Sequence, residues 1–309
     1  MGKDAKANFS KQIFYKLRHK ESLKFYLFAS PWLIGVLVFF IGPALISLYL
    51  SLTKYDIISS PEFIGLKNYR FLFTMDDLFY KSLANTLYMV FIALPIGIIA
   101  QISLSLFMNL RLKGIAFFRT IYYLPVLVPA VSSAILWRIM LDDRFGLINV
   151  FLRFCHIPPQ EWLNNPVLSK PSLILMGLWT IGDGMLIYLA NLKDIPGSLY
   201  ESAAIDGANA WHKFWAITLP MITPTIFFNL IMGVINTFQT FTSAYVMTAG
   251  GPEYSTYFYM YYLYQTAFKF GRMGMASAMA WILFLVILVL TVIILRSSKH
   301  WVFYEGERK

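Results

Sequence analysis

The chain has 309 residues, of which 58% are hydrophobic and only 14% charged, with mean hydropathy +0.60. A soluble domain of ordinary composition is nearer half apolar and a quarter charged, so the soluble class is excluded before any single residue is read. The net charge of +10 does not point to nucleic acid, because the basic residues flank apolar runs instead of gathering in a patch, and one cysteine excludes an intramolecular disulfide.

In chain order, the first 24 residues form a basic segment, and an apolar run follows near Phe25–Leu52. That run is too long for a signal-peptide core and no small-residue cleavage site follows it, so it reads as a first membrane span. About twenty apolar residues at 1.5 Å rise cross the ~30 Å hydrocarbon core. Five more runs qualify, near Leu83–Leu110, Phe117–Met140, Ser172–Leu192, Met221–Thr248 and Met275–Leu295. The expected fold is therefore an all-α integral membrane protein of about six spans over residues 25–296, with a tail at 297–309. Pro43, Pro95, Pro125 and Pro129 fall in or at the ends of spans, where packing kinks explain them.

Lys and Arg concentrate in the head (Lys3, Lys6, Lys11, Lys16, Arg18, Lys20, Lys24), in the turn after the second span (Arg111, Lys113, Arg119) and in the tail (Arg296, Lys299, Arg308, Lys309). By the positive-inside rule these three face the cytoplasm, as does the loop at 194–220, and both termini are cytoplasmic. The chain has no G-x-x-x-x-G-K-[ST] phosphate loop, no H-E-x-x-H pair and no G-x-S-x-G elbow. No catalytic residue and no metal site is expected, and the chain reads as a non-enzyme.

The loop at 194–220 carries acids at Glu201 and Asp206 and small residues at Ser202, Ala203, Ala204, Gly207 and Ala208. Ser198-x-x-Glu201 fits a capping box, Gly207 is expected to interrupt the helix, and a second short helix through Trp211, Phe214 and Trp215 is expected to stop at Pro220. One reading makes this an ordinary connector. The other makes it a small-faced elbow that lets a partner backbone approach closely.

These residues, Glu201-Ser202-Ala203-Ala204, Asp206-Gly207 and Ile217-x-Leu219-Pro220, resemble the EAA loop of permease subunits in binding-protein-dependent ABC importers, with Ser202 as a mild departure. Ser30-Pro31-Trp32, Gly42-Pro43, Ile64-Gly65-Leu66-Lys67-Asn68-Tyr69 and Ala249-Gly250-Gly251-Pro252 are similar to elements of the sugar branch, of the maltose and glycerol-3-phosphate type, and to its MalF-like half. The resemblance implies a type I importer permease in the bacterial cytoplasmic membrane. It also implies a second, MalG-like permease subunit, an ABC ATPase dimer that binds ATP and Mg, an extracellular solute-binding protein and a sugar substrate. This chain would hold no cofactor, and Glu201 to Gly207 would dock the ATPase. A self-sufficient secondary carrier or channel is the competing class, in which the elbow would have no partner.

Asp183 is the only acid deep in an expected span, and Trp179, four residues earlier, is expected to share its helical face. A membrane carboxylate is costly unless paired or wet, so Asp183 either accepts sugar hydroxyls beside a stacking indole or pairs with a neighbouring subunit. On the fifth span Asn229, Gly233, Asn236, Thr240 and Ser243 form a polar stripe that either lines a wet path or bonds to another helix. By the resemblance the substrate site falls nearest Asp183, Trp179, Phe238 and Gln239, with Asn236 and Thr240 on the stripe. Ser132, Ser133 and Trp137, and the small face of Gly274, Ser277 and Ala278, read as packing. The tyrosine run Tyr254 to Tyr264 reads as an aromatic belt at the membrane surface.

Overall fold

A computed structural model describes residues 24–110 and 112–303. The basic head before Lys24, Arg111, and the tail residues Arg308 and Lys309 lie outside the described residues.

Among the described residues four helices are long and apolar enough to cross a membrane, and two bent helix pairs bring the total to six if each pair is one span. The single helices are α1 (Lys24–Ser51), α3 (Asp77–Asn109), α10 (Ala210–Phe238) and α12 (Met273–Trp301). The pairs are α4 with α5 (Ile115–Leu127, Ala130–Met140) and α7 with α8 (Ser169–Trp179, Gly182–Asp194). Shorter helices are α2 (Lys67–Thr74), α6 (Leu147–Phe154), α9 (Gly197–Ile205) and α11 (Tyr259–Tyr264).

The third and fourth expected spans are not continuous. The α4–α5 pair bends by 101° and the α7–α8 pair by 50°. At the first bend Val128 is extended (φ −78°, ψ 127°) because it precedes Pro129, whose ring disfavours the helical region for its neighbour. At the second, Thr180 leaves the helix with φ −104° and ψ 20° and turns its hydroxyl back onto the Gly177 carbonyl at 3.1 Å. The fifth span also differs from expectation, since its helix ends at Phe238 and a separate π turn occupies Ala244–Thr248.

Pro43, Pro95 and Pro220 share one device. Each stands two residues after a five-residue π turn: Leu37–Ile41, Met89–Ala93 and Phe214–Thr218. The residue before each proline (Gly42, Leu94, Leu219) donates to a carbonyl five positions back (Leu37, Met89, Phe214). The wide turn draws the carbonyl four back from the proline, which the ring would otherwise strike, out of line. Pro220 therefore does not stop a short helix as the sequence suggests; α10 runs through it, and through Pro224.

The motif Ile64 to Tyr69 pins the first span. Thr53–Lys54 and Glu62–Phe63 pair as a two-residue antiparallel ladder. Buried Asn68 then donates to the carbonyls of Ser51 and Thr53, both at 2.9 Å, and the Tyr69 hydroxyl donates to Ser51 Oγ at 2.8 Å. On the other side Gly274 presses on this corner, where a Cβ would fall 2.1 Å from the Thr53 carbonyl oxygen.

The largest core cluster joins Phe79, Val90, Trp137, Val234, Phe238, Tyr259 and Met279, binding α3, α5, α10, α11 and α12 together. Most of the tyrosine run is part of this core and not a surface belt: Tyr257, Tyr259, Tyr261 and Tyr262 are buried, whereas Tyr254 at its start is 51% exposed. Their hydroxyls explain the difference, since interior tyrosines need partners. Tyr259 donates to the Met279 carbonyl at 2.8 Å, and Tyr262 to the Asp76 carboxylate, whose other oxygen caps α3 at the Phe79 N–H.

Candidate coupling elbow and translocation cavity

The elbow consists of α9 and the turn into α10. Its helix starts after Pro196, with no side-chain cap, so the expected Ser198–Glu201 capping box does not form. Pro196 already supplies a fixed φ of −59° and a sharp entry, and Ser198 sits inside the first turn instead of at its edge. The helix ends in a Schellman motif: Ala208 N–H donates to the Ala203 carbonyl at 2.9 Å and Gly207 N–H to that of Ala204 at 3.1 Å. Gly207 has φ +79°, which only glycine adopts without strain, so the expected interruption is present and its cause is the C-terminal cap. Asn209 then caps α10, its Oδ1 accepting from His212 N–H at 2.8 Å.

The elbow is clamped to the bundle at one edge and free at the other. Tyr200 packs beside Leu192, Ile195 and Ile222, and its hydroxyl lies 2.9 Å from that of Thr218 on α10. Glu201, Ser202, Ala204, Asp206 and Gly207 are exposed, and Ala203 partly so. Ile205 is 88% exposed and Trp211 70%, so the free edge is apolar at its tip with acids beside it. A groove of about 410 Å3 runs between the two arms, lined by Ala203, Asp206, Gly207, His212, Lys213 and Ile217.

A second cavity, also about 410 Å3, opens between α3, the α7–α8 bend and the end of α10, with Asp183 and Asn236 exposed on it. Its polar lining is Gln101, Thr180, Asp183, Asn236, Thr237 and Thr240, set among apolar residues such as Met89, Leu94, Leu173 and Ile174. Asp183 lies in the first turn of α8 and its Oδ1 accepts from Gly184 N–H at 2.6 Å. Gly184 lets Gln101 come close, since a Cβ would fall 2.2 Å from that side chain. The cavity thus offers one carboxylate, two amides and three hydroxyls, a donor and acceptor set suited to a polyhydroxylated solute.

Of the residues singled out in the sequence, Asp183, Asn236 and Thr240 come together on this cavity. Trp179 does not share a face with Asp183, because the α7–α8 bend falls between them; it stacks edge-on against Trp137, ring centroids 6.1 Å apart. Phe238 is fully buried in the main core, and Gln239 is exposed just past the end of α10. The polar stripe divides: Gly233 packs on Leu94 and Asn229 sits beside the buried Tyr188 hydroxyl, whereas Asn236 and Thr240 face the cavity. Gln101, Thr180 and Thr237 were missed as lining residues. Gln101 carried a signal, being an amide in the middle of the apolar second span, far from Asn85 and Asn109 at its ends.

Up to six membrane spans, two of them bent, with a polar cavity between α3, α8 and α10 and an exposed helical elbow, fit the class of membrane permeases. The chain belongs to the binding-protein-dependent transport system inner membrane component family, whose profile matches residues 79–301. Its relatives include the probable ABC transporter permease protein YesP of Bacillus subtilis, 41% identical over 294 residues, 94% of this chain and 95% of that one. The trehalose/maltose transport system permease protein MalF of Thermococcus litoralis is 32% identical over 287 residues, covering 92% and 96%. Among solved structures, a chain of a bacterial alginate ABC transporter in complex with an alginate pentasaccharide-bound periplasmic protein superposes with a TM-score of 0.80 at 25% identity, covering 91% of this chain and 95% of that one.

Proposed function

We propose that this chain is the MalF-like half of a heterodimeric ABC importer permease for a carbohydrate. It sits in the bacterial cytoplasmic membrane with both termini and the elbow on the cytoplasmic side. A MalG-like subunit supplies the other cavity wall, and an extracellular solute-binding protein delivers the sugar. A separate ATPase dimer binds ATP and Mg and grips residues 201–207. The sugar assignment draws on the relatives, which are named for trehalose/maltose, arabinooligosaccharides and alginate.

The observation that carries the reading is the elbow itself. An apolar tip of Ala204 and Ile205 flanked by Glu201 and Asp206 is a poor surface to leave in water, and a small one that a partner can cover. Its clamp, Tyr200 on Thr218, ties that tip to α10, whose far end lines the cavity through Asn236. Closure of the ATPase pair moves the tip, α10 moves with it, and the cavity changes the side to which it opens; this is a two-state element biased by nucleotide at one end and by solute at the other.

The test is a cysteine cross-link from Ala204→Cys in a Cys155→Ser background, in cells expressing the complete system. A bond to the ATPase that strengthens or shifts with nucleotide is expected. A bond to the solute-binding protein instead would overturn the orientation, and absence of any ATPase bond would overturn the coupling role.

A further inference from the structure

The mouth of the cavity opposite the elbow carries a cationic group that the reading above does not use. Lys170, in the first turn of α7, is partly buried and turned inward. Its ammonium donates to Asn85 Oδ1 at 3.0 Å and stands 4.7 Å from the centre of the Tyr88 ring. Asn85 is 3% exposed, and its own Nδ2 is held by the carbonyls of Tyr254 (2.7 Å) and Tyr257 (3.4 Å), which fixes its oxygen toward the lysine.

The position relative to the cavity follows from helical spacing. Leu173 and Ile174 line the cavity three and four residues after Lys170, and Met89 lines it four residues after Asn85. Lys170 and Asn85 therefore sit one turn above the lining, on the same faces. Lys81 lies one further turn up α3, four residues before Asn85, and is exposed. An ammonium has three N–H donors; one is taken by Asn85 and the Tyr88 ring covers one side, which leaves a donor and the charge without a protein partner among the described residues. A cation held inward by a neutral amide and a ring, with a second cation one turn further out on α3, costs desolvation that an anionic ligand would offset.

We propose that Lys170, assisted by Lys81, is an anion-binding station at the cavity mouth, so that the transported saccharide carries a negative charge, its hydroxyl-rich remainder reaching the Asp183 level. This rests on the permease reading and specifies its substrate class. The solute's anionic group replaces water at Lys170, while Asp183 repels a second charge and sets the order in which the two ends of the sugar enter.

The test uses the assembled complex of both permease subunits and the ATPase in nanodiscs, without the solute-binding protein. Equilibrium binding is measured for digalacturonate, its dimethyl ester and trehalose 6-phosphate, which separates carboxylate from phosphate and both from a neutral sugar. Wild type is expected to bind at least one anionic probe about tenfold tighter than the ester or more. Lys170→Gln should abolish that preference, Lys170→Arg should restore most of it, Lys81→Gln should lose part of it, and binding of the ester should not change. A wild-type complex that favours neither anionic probe overturns the proposal and leaves the permease reading standing. So does Lys170→Gln weakening all three probes equally, which would mark a packing role. A chain with which no ATPase assembles overturns both.

Discussion

The hydroxyl of Tyr200 on the elbow helix lies 2.9 Å from the hydroxyl of Thr218 on the long helix α10, a polar link between the exposed arm and the helix that reaches the cavity. Removing it with Tyr200→Phe should cost about 1 kcal/mol locally, the usual net worth of such a bond. Assembly should survive, because the ring still packs on Ile195 and Ile222. Sugar transported per ATP hydrolysed should fall, as the arm gains freedom to move without α10. Parallel measurement of uptake and hydrolysis in proteoliposomes checks this; an unchanged ratio would show that the hydroxyl pair transmits nothing.

Gly207 has open space where a Cβ would stand, yet a φ of +79°. Gly207→Ala should therefore destabilise the elbow by backbone strain alone, about 1–2 kcal/mol. Gly207→Trp adds bulk on the exposed face and should leave the permease pair assembled while abolishing sugar-stimulated ATP hydrolysis. Stimulated hydrolysis at the wild-type rate in the Trp variant would remove the docking assignment.

Asp183→Asn keeps the shape of the cavity and removes its carboxylate. Uptake should weaken severalfold, with assembly and basal ATP hydrolysis intact, if the carboxylate accepts hydrogen bonds from the solute. Uptake equal to wild type across a range of sugar concentrations would contradict a contact at Asp183.

Much of this architecture was legible in the sequence because hydropathy and small-residue patterns are local properties. Six apolar runs are enough to place six spans, and Glu201 to Gly207 is enough to place the elbow. What local patterns do not carry is direction. The distance from Trp179 to Asp183 looks like one helical turn, but Thr180 and the surrounding glycines open a bend there, and the two side chains part company. The same holds for Pro220, which reads as a stop until the π turn before it is seen, and for the run Tyr254 to Tyr264, whose aromatic content suits a membrane surface but in which the hydroxyls of Tyr259, Tyr261 and Tyr262 have interior partners. Phe238 and Gln239 sit at a helix end whose position depends on tertiary packing, so neither reaches the cavity that Asn236 and Thr240 line.

Asn68 offers a test of the fold apart from transport. It satisfies two buried carbonyls, of Ser51 and Thr53, at the end of the first span. Asn68→Leu leaves both unpaired, at about 1–3 kcal/mol each. The variant should show a lowered Tm in detergent and a first span that is readily cleaved from the rest by protease at residues 56–61. A Tm within a degree of wild type would mean that the β-ladder and Tyr69 hold this corner unaided.

The central claim is that the elbow is a handle worked by a separate nucleotide-hydrolysing partner. The most direct measurement is solute uptake into vesicles that hold the permease pair with the ATPase, compared with vesicles that hold the permease pair alone. Uptake is expected only where the ATPase is present and ATP is hydrolysed. Uptake of equal rate without the ATPase, or driven by an ion gradient in the absence of nucleotide, would contradict the account.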